Sequence, residues 1–408
     1  MTRKVVVTGI GPVTPVGIGR DSFWDALLSG RSGIGEITQF DASDFPVRIA
    51  GEVRDFDPAE WMDRKAVRRT DRVVHLAVAA AKLAWEDAGE PQIDPERAAV
   101  VVSTGVGGLQ YMEDQIRILA SRGPDRVSAF TVPAMMPNAA TGTIAMELGF
   151  TGPNACITTA CAAGAHGVGE AYRYIKHGMS DLAIAGGTEA AVTPLALAAF
   201  AQMQALSRNA DPGRASRPFD ADRDGFVISE AACVLVLEEE QRARERGATI
   251  YAEVAGYGTS ADAFHITQPE PQGSGAVIAM QMALTDAGED AEAVDYINAH
   301  GTSTPLNDAA ETRAIKKALG DHAYRTAISS TKSMTGHMVG AAGAAESAAA
   351  ALAVKEGVIP PTTNYETPDP ECDLDYVPNE ARKAEVRLAL SNAFGFGGQN
   401  AVVALRSA

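Results

Sequence analysis

Residues 154–178, NACITTACAAGAHGVGEAYRYIKHG, pass from a β-branched, strand-like run into a helical pattern, with Cys161 at the junction. Thr159, Ala160, Ala162, Ala163 and Gly164 surround the cysteine and leave room for a bulky substrate. A helix starting at about Cys161 turns unpaired N–H groups and positive dipole character toward the sulfur, which favours a thiolate. Cysteine is intrinsically very nucleophilic, yet it is also among the residues most often buried. This stretch alone leaves both readings open. Two histidines move the balance toward chemistry. His300 in NAHGTSTPLND and His337 in SSTKSMTGHMVGAAGAAE each follow a strand pattern, beside glycine and among Ser and Thr. His75, His166, His177, His265 and His322 read as structural or surface residues.

One cysteine and two histidines support two kinds of catalysis. In a thiol hydrolase they act as nucleophile, base and orienter. In carbon–carbon bond formation the cysteine carries an acyl thioester. Two neutral imidazoles then donate hydrogen bonds to a carbonyl oxygen that turns negative as carboxylate is lost. Neutral donors require depressed pKa values. Lys332, five residues before His337, supplies a positive charge for that, unless it is an ordinary surface lysine. Glu346, nine residues beyond His337 on the following helix, is placed to pair with Lys332.

The elements that must position these groups alternate between strand and helix. A strand at 5–8 closes at Gly9–Pro12, and a helix covers 21–28. Residues 41–57 read as surface loop, 74–88 as helix and 98–103 as strand. The following TGVGG lacks nucleotide-loop spacing and reads as close backbone approach beside a pocket. An apolar loop at 128–137, a helix at 138–148, a strand at 181–185 and a flexible apolar stretch at 193–206 follow. After a polar loop at 211–230 and a strand at 232–237, strands at 251–257, 294–299, 327–330, 386–390 and 401–405 alternate with helices in a second half. The division falls at 1–250 and 251–408, an α/β layered fold with reactive residues at strand ends.

Net charge is −17, from 52 acidic and 35 basic residues, which disfavours a general nucleic-acid binder. Against that background MDRKAVRRTDR, 62–72, places Lys65, Arg68, Arg69 and Arg72 on one face at helical spacing. The face is either ordinary solvated surface or a landing site for an acidic partner. Cys156, Cys161, Cys233 and Cys372 show neither metal-ligand nor disulfide spacing, and no run reaches the length of a membrane span. A soluble, reducing, cytoplasmic setting without membrane insertion is the expectation.

TACAAG at Cys161, NAHGTSTPLND, SSTKSMTGHMVGAAG, SNAFGFGGQN, ASRPFDADRDGFV at 215–227 and GVIPPTTNYETPDP at 357–370 together resemble the chain-elongating β-ketoacyl-ACP synthases of type II fatty-acid synthesis. The resemblance covers essentially the whole chain. It implies the thiolase fold, two similar halves stacked as αβαβα layers in a homodimer. It also implies condensation of acyl-ACP with malonyl-ACP, with an acyl carrier protein as partner and no redox cofactor. By resemblance Cys161 is the acyl-accepting nucleophile, His300 and His337 the catalytic histidines, and Lys332 and Glu346 their charged support. The N–H groups of Cys161 and Phe396 form the oxyanion hole, and Phe396, between Gly395 and Gly397, is the gate. Thr302 and Thr304 contact the pantetheine arm, and Thr267 lies in a mobile loop near the pocket. Val106, Phe200, Met135 and Met136 line or border the acyl pocket. Lys65, Arg68 and Arg69 match the carrier-docking patch. Gln399 stands where threonine is common. A polyketide or specialised-lipid ketosynthase, a thiolase-like or hydrolytic enzyme, and a non-catalytic partner subunit are the competing readings.

Overall fold

The computed structural model describes residues 3–408. In the first half, β1 (Val5–Thr14) leads to helix α1 (Arg72–Asp87). β2 (Ala98–Ser103), α2 (Ala139–Leu148), β3 (Asn154–Ala155), α3 (Ala163–Lys176), β4 (Leu182–Glu189) and β5 (Ala231–Glu239) follow. The second half runs β6 (Ala252–Ala261), α4 (Ser274–Ala287), β7 (Tyr296–Asn298), α5 (Pro305–Leu319), β8 (Ala327–Ser329), α6 (Ala342–Glu356), β9 (Leu388–Gly395) and β10 (Gln399–Arg406).

The strand order is β3-β2-β4-β5-β1-β6-β10-β9-β7-β8. Each half repeats one pairing pattern. From β1 outward the pairs β1/β5 and β5/β4 are antiparallel, and β4/β2 and β2/β3 parallel. From β6 outward β6/β10 and β10/β9 are antiparallel, and β9/β7 and β7/β8 parallel. The halves meet where Val5–Val7 pair antiparallel with Val254–Ala252.

Side-chain alternation along the strands sets the layers. Ala99 and Val101 of β2 join a central cluster that also takes Ala401, Val403 and Leu405 of β10, whereas Val100 and Val102 face an outer cluster with α1. Val402 and Ala404 face a second outer cluster with α4 and α5. α3 and α6 contribute to the central cluster between the two half-sheets, which gives αβαβα stacking. A helix in that position is buried on every side, as the alanine-rich α6 is from Ala342 to Ala353.

Several sequence expectations change. β1 does not stop at Thr8 but runs on through Gly9, Gly11 and Pro12. A Cβ at Gly11 would lie 2.0 Å from the Ala80 carbonyl, so these glycines mark close packing of α1 and not a turn. Residues 41–57 are not all surface loop: Ile49–Gly51 is a buried strand, and Val47, Ile49 and Ala50 belong to a fourth core cluster. The stretch at 193–206 holds an ordered helix, Pro194–Gln202, whose Thr193 hydroxyl accepts from the Ala196 N–H at 3.2 Å. β4 extends through both glycines to Glu189, and a helix at Leu109–Arg122 follows the TGVGG turn. Among the described residues, no helix is long and apolar enough to cross a membrane.

Candidate active site

Cys161 sits in a single 3₁₀ turn, Ala160–Ala162, that feeds directly into α3. Ala160 takes φ 48°, a left-handed conformation that a small residue tolerates best and that turns the chain sharply before the sulfur. Burial opposes the thiolate that the helix terminus favours. Burial pushes the thiol up to about 11, against the pull of the Lys332 charge and of the Phe396 and Cys161 N–H groups.

His337 Nε2 lies 3.0 Å from Cys161 Sγ. The His300 and His337 rings meet edge to face, with centroids 5.4 Å apart. Lys332 Nζ stands 3.4 Å from His300 Nδ1 and forms a buried ion pair with Glu346 on α6. Donation from the ammonium to Nδ1 leaves the His300 proton on Nε2. Burial, then Lys332 and His337, hold His300 well below the usual imidazole range; burial and Lys332 do the same for His337. Both rings are therefore neutral at physiological pH. Burial also raises the Glu346 carboxyl, with the Lys332 charge opposing it.

The Phe396 and Cys161 N–H groups lie close enough to the sulfur to favour its charged form. A Cβ at Gly395 would fall 2.6 Å from the Thr159 carbonyl, so only glycine lets this loop press on the cysteine turn. Gly397 and Gly398 have φ 85° and 71°, and the Gly397 N–H donates to the Ile266 carbonyl at 2.7 Å. These groups open on a cavity of about 580 Å³ lined by Cys161, His300, His337, Phe396, Thr302 and Val106 among others. Gly395, Phe200, Thr267 and Thr304 also line it. The Thr302 and Thr304 hydroxyls are 2.9 Å apart.

Residues 2–243 match the family model described as "Beta-ketoacyl synthase, N-terminal domain", and residues 251–366 match "Beta-ketoacyl synthase, C-terminal domain". The chain belongs to the beta-ketoacyl synthase family. It is 52% identical to "3-oxoacyl-[acyl-carrier-protein] synthase 2" of Synechocystis sp. and 50% identical to the same-named protein of Coxiella burnetii, each match covering 99% of this chain and 98% of the relative. Its fold matches, at TM-score 0.93, 35% identity and full coverage of both chains, a chain of a complex between a type II polyketide acyl-carrier protein and its ketosynthase bound to the hexaketide.

Not every residue singled out in the sequence reaches this cavity of the synthase. Met135 and Met136 are outside its lining, partly exposed on the segment packed against Gly107 and Gly108. Lys332 and Glu346 stand behind the histidines, buried. Lys65, Arg68 and Arg69 are exposed around a short helix, Arg64–Val67, capped by the Asp63 carboxylate. Arg72 does not share their face. The helix ends before it, and Arg72 turns inward to pair with buried Glu230 at 2.7 Å. Arg69 instead lays its guanidinium over the Phe130 ring, 4.4 Å from its centroid.

Three supporting residues were not singled out from the sequence. Phe226 packs edge to face on His337, at 5.2 Å between centroids, and on Phe200 at 5.3 Å. Glu311 accepts the His300 and Gly301 N–H groups, both at 2.8 Å. Glu189 accepts from the Gly105 and Gly340 N–H groups and from the Thr104 hydroxyl, tying the Val106 loop to the turn after His337. Burial pushes both carboxyls up to about 7. Only folding discloses such acceptors, because most of their partners are backbone groups distant in sequence.

Proposed function

We propose that the chain is a 3-oxoacyl-[acyl-carrier-protein] synthase II of type II fatty-acid elongation. It would condense acyl-ACP with malonyl-ACP to give 3-oxoacyl-ACP and CO₂. The observation that carries the reading is the convergence of the Cys161 sulfur, His337 at 3.0 Å and the lysine-backed His300 on one cavity floor.

Cys161 attacks the acyl thioester carbonyl, and the Cys161 and Phe396 N–H groups take the oxyanion. The new S–C bond forms as the carrier thiol leaves with the cysteine proton. Malonyl-ACP enters past Phe396, its arm along Thr302 and Thr304. The bond to carboxylate breaks, CO₂ leaves, and its electron pair becomes an enolate that His300 and His337 stabilise. The enolate carbon attacks the acyl carbonyl, the bond to the cysteine sulfur breaks, and the departing thiolate takes up a proton from solvent. The sequence is redox-neutral ping-pong chemistry.

Supporting the partner reading, Lys65, Arg68 and Arg69 offer an acidic carrier a basic face on an acidic protein. A homodimer is part of the proposal. β3 leaves an open edge at the end of the sheet, and the contiguous elements from Leu109–Arg122 to α2 carry exposed Ile116, Leu119, Val132 and Met146. The four cysteines are unpaired, in keeping with a reducing, cytoplasmic setting. A polyketide or specialised-lipid ketosynthase is the second reading, favoured by the likeness to the polyketide complex.

Intact-mass analysis with acyl-ACPs of graded length tests the choice, using Cys161→Ala as control and malonyl-ACP added last. A mass gain on Cys161 that is lost as 3-oxoacyl-ACP appears supports the elongation reading. Absence of adduct from every straight-chain primer moves the assignment to the specialised ketosynthase.

A further inference from the structure

The segment ASRPFDADRDGFV, with no role in the reaction as described, runs behind two parts of the site at once. At its far end the His337 N–H donates to the Val227 carbonyl at 2.7 Å, and the Ser229 N–H donates to the His337 carbonyl at 3.0 Å. From both ends it also holds the turn that carries Thr302 and Thr304. The Gly225 N–H donates to the Ser303 carbonyl at 3.0 Å, and the Arg217 N–H donates to the Ser303 hydroxyl at 3.0 Å. Ser303 is held at φ 69°, a strained conformation for a residue with a side chain, so the turn requires outside support. Gly225 is fixed as glycine, because a Cβ there would sit 2.5 Å from the Leu206 and Ser207 backbone.

Arg223 is the pin of this brace. Its side chain is almost wholly buried, and it spends its donors on backbone. Nε donates to the Thr304 carbonyl at 3.3 Å, Nη2 to the Pro305 carbonyl at 3.2 Å, and Nη1 to the Asp220 carbonyl at 2.8 Å and to the Asp369 carboxylate at 2.5 Å. Asp308, 3.6 Å away, adds a second carboxylate and also accepts the Phe219 N–H at 2.9 Å. A planar fork reaching three carbonyls on two chain segments is a geometry that lysine cannot reproduce.

We infer that Arg223 is a positioning residue for the thioester arm: it fixes the 302–305 turn in register with His337, so that an arm lying on Thr302 and Thr304 delivers its carbonyl to the catalytic groups. The inference rests on the reading of those threonines as pantetheine contacts. It predicts a defect confined to substrates that possess the arm.

The test compares Cys161 acylation by hexanoyl-pantetheine with acylation by the hexanoyl S-ethyl thioester, which keeps the reacting carbon and lacks the arm. The full-length wild type, Arg223→Lys and Asp369→Asn are followed by intact mass. In Arg223→Lys the preference for the pantetheine substrate should fall about tenfold, through KM, while S-ethyl acylation and iodoacetamide alkylation of Cys161 change less than about twofold. Asp369→Asn, which weakens one anchor of the pin, should fall about threefold in the same direction and covers the case of an unfolded lysine variant. Equal loss with both thioesters, or an unchanged preference in whichever variant folds, overturns the inference. A wild type without any preference for pantetheine removes the arm reading itself, and the inference with it, and is recognisable before any variant is measured.

Discussion

At Cys161 the turn-end N–H groups and the Lys332 charge work against burial, and burial prevails, with the thiol pushed up to about 11. On that balance the site rests as thiol and neutral imidazole. Alkylation of Cys161 by iodoacetamide should therefore climb roughly tenfold per pH unit from about 7 to 10, whereas an ordinary thiol with a pKa of about 8.5 would level off. A plateau by about pH 9 would show that the dipole and Lys332 win after all. The histidines yield the companion prediction. With both rings held well below the usual imidazole range, CO₂ release from a malonyl thioester should show no acid limb between about pH 6 and 7. Removing the buried pair with Lys332→Met and Glu346→Leu takes away the second-largest cause of that depression. The limb should then move to higher pH, seen as loss of CO₂ release on the acid side; an unmoved limb would remove Lys332 from the account. The reactive side chains were legible in the sequence because small residues and glycines surround them. The sign of the Cys161 shift was not, since burial is a property of the assembled core.

Elements were most legible where an apolar run ended in a true turn and least where glycine served packing. Gly9, Gly11, Gly186 and Gly187 looked like strand ends, yet each lies inside a strand. Gly169 shows the same logic on α3: an added Cβ would stand 2.2 Å from the Tyr257 ring, which is itself buried. Gly178, just past that helix, has φ 75° and nothing near its absent Cβ. Gly178→Ala should cost about 1 kcal/mol, the backbone penalty alone. Gly169→Ala should cost about 3 kcal/mol or more, because a packed aromatic ring and the helix carrying Cys161 must separate. Urea unfolding of the two variants decides it, and equal losses would mean that the α3 contact yields easily. The buried strand at Ile49–Gly51 and the helix at Pro194–Gln202 were misread for a related reason. Their apolar positions serve a small satellite core whose other wall, Phe226 to Ile228, is distant in sequence.

On the scale of the whole molecule the two halves share more than strand order. The turn at Ala160–Ala162 before α3 has its counterpart in Val339–Ala341 before α6, and Ala160 and Val339 take φ 48° and 44°. The first turn presents Cys161, and the second presents Gly340, whose N–H donates to Glu189. The strand–helix rhythm of both halves could be read along the chain, but the shared pairing pattern could not, because partners such as β1 and β6 lie far apart in sequence. Charge is the other molecular property with a consequence. A protein of net charge −17 repels an acidic carrier at long range, so on the docking reading proposed above productive encounter would depend on the local field of Lys65, Arg68 and Arg69. Reversing all three to glutamate should raise KM for acyl-ACP by about 10- to 100-fold, taking each exposed pair as worth up to about 1 kcal/mol. Cys161 acylation by free acyl-pantetheine, which needs no docking, should stay within about twofold. Added salt should weaken the wild type and relieve the repulsion in the variant, so that the two KM values converge, since a Debye length of about 3 Å at 1 M screens exposed charges. If the variant instead loses both substrates alike, the basic face supports the fold and the carrier docks elsewhere.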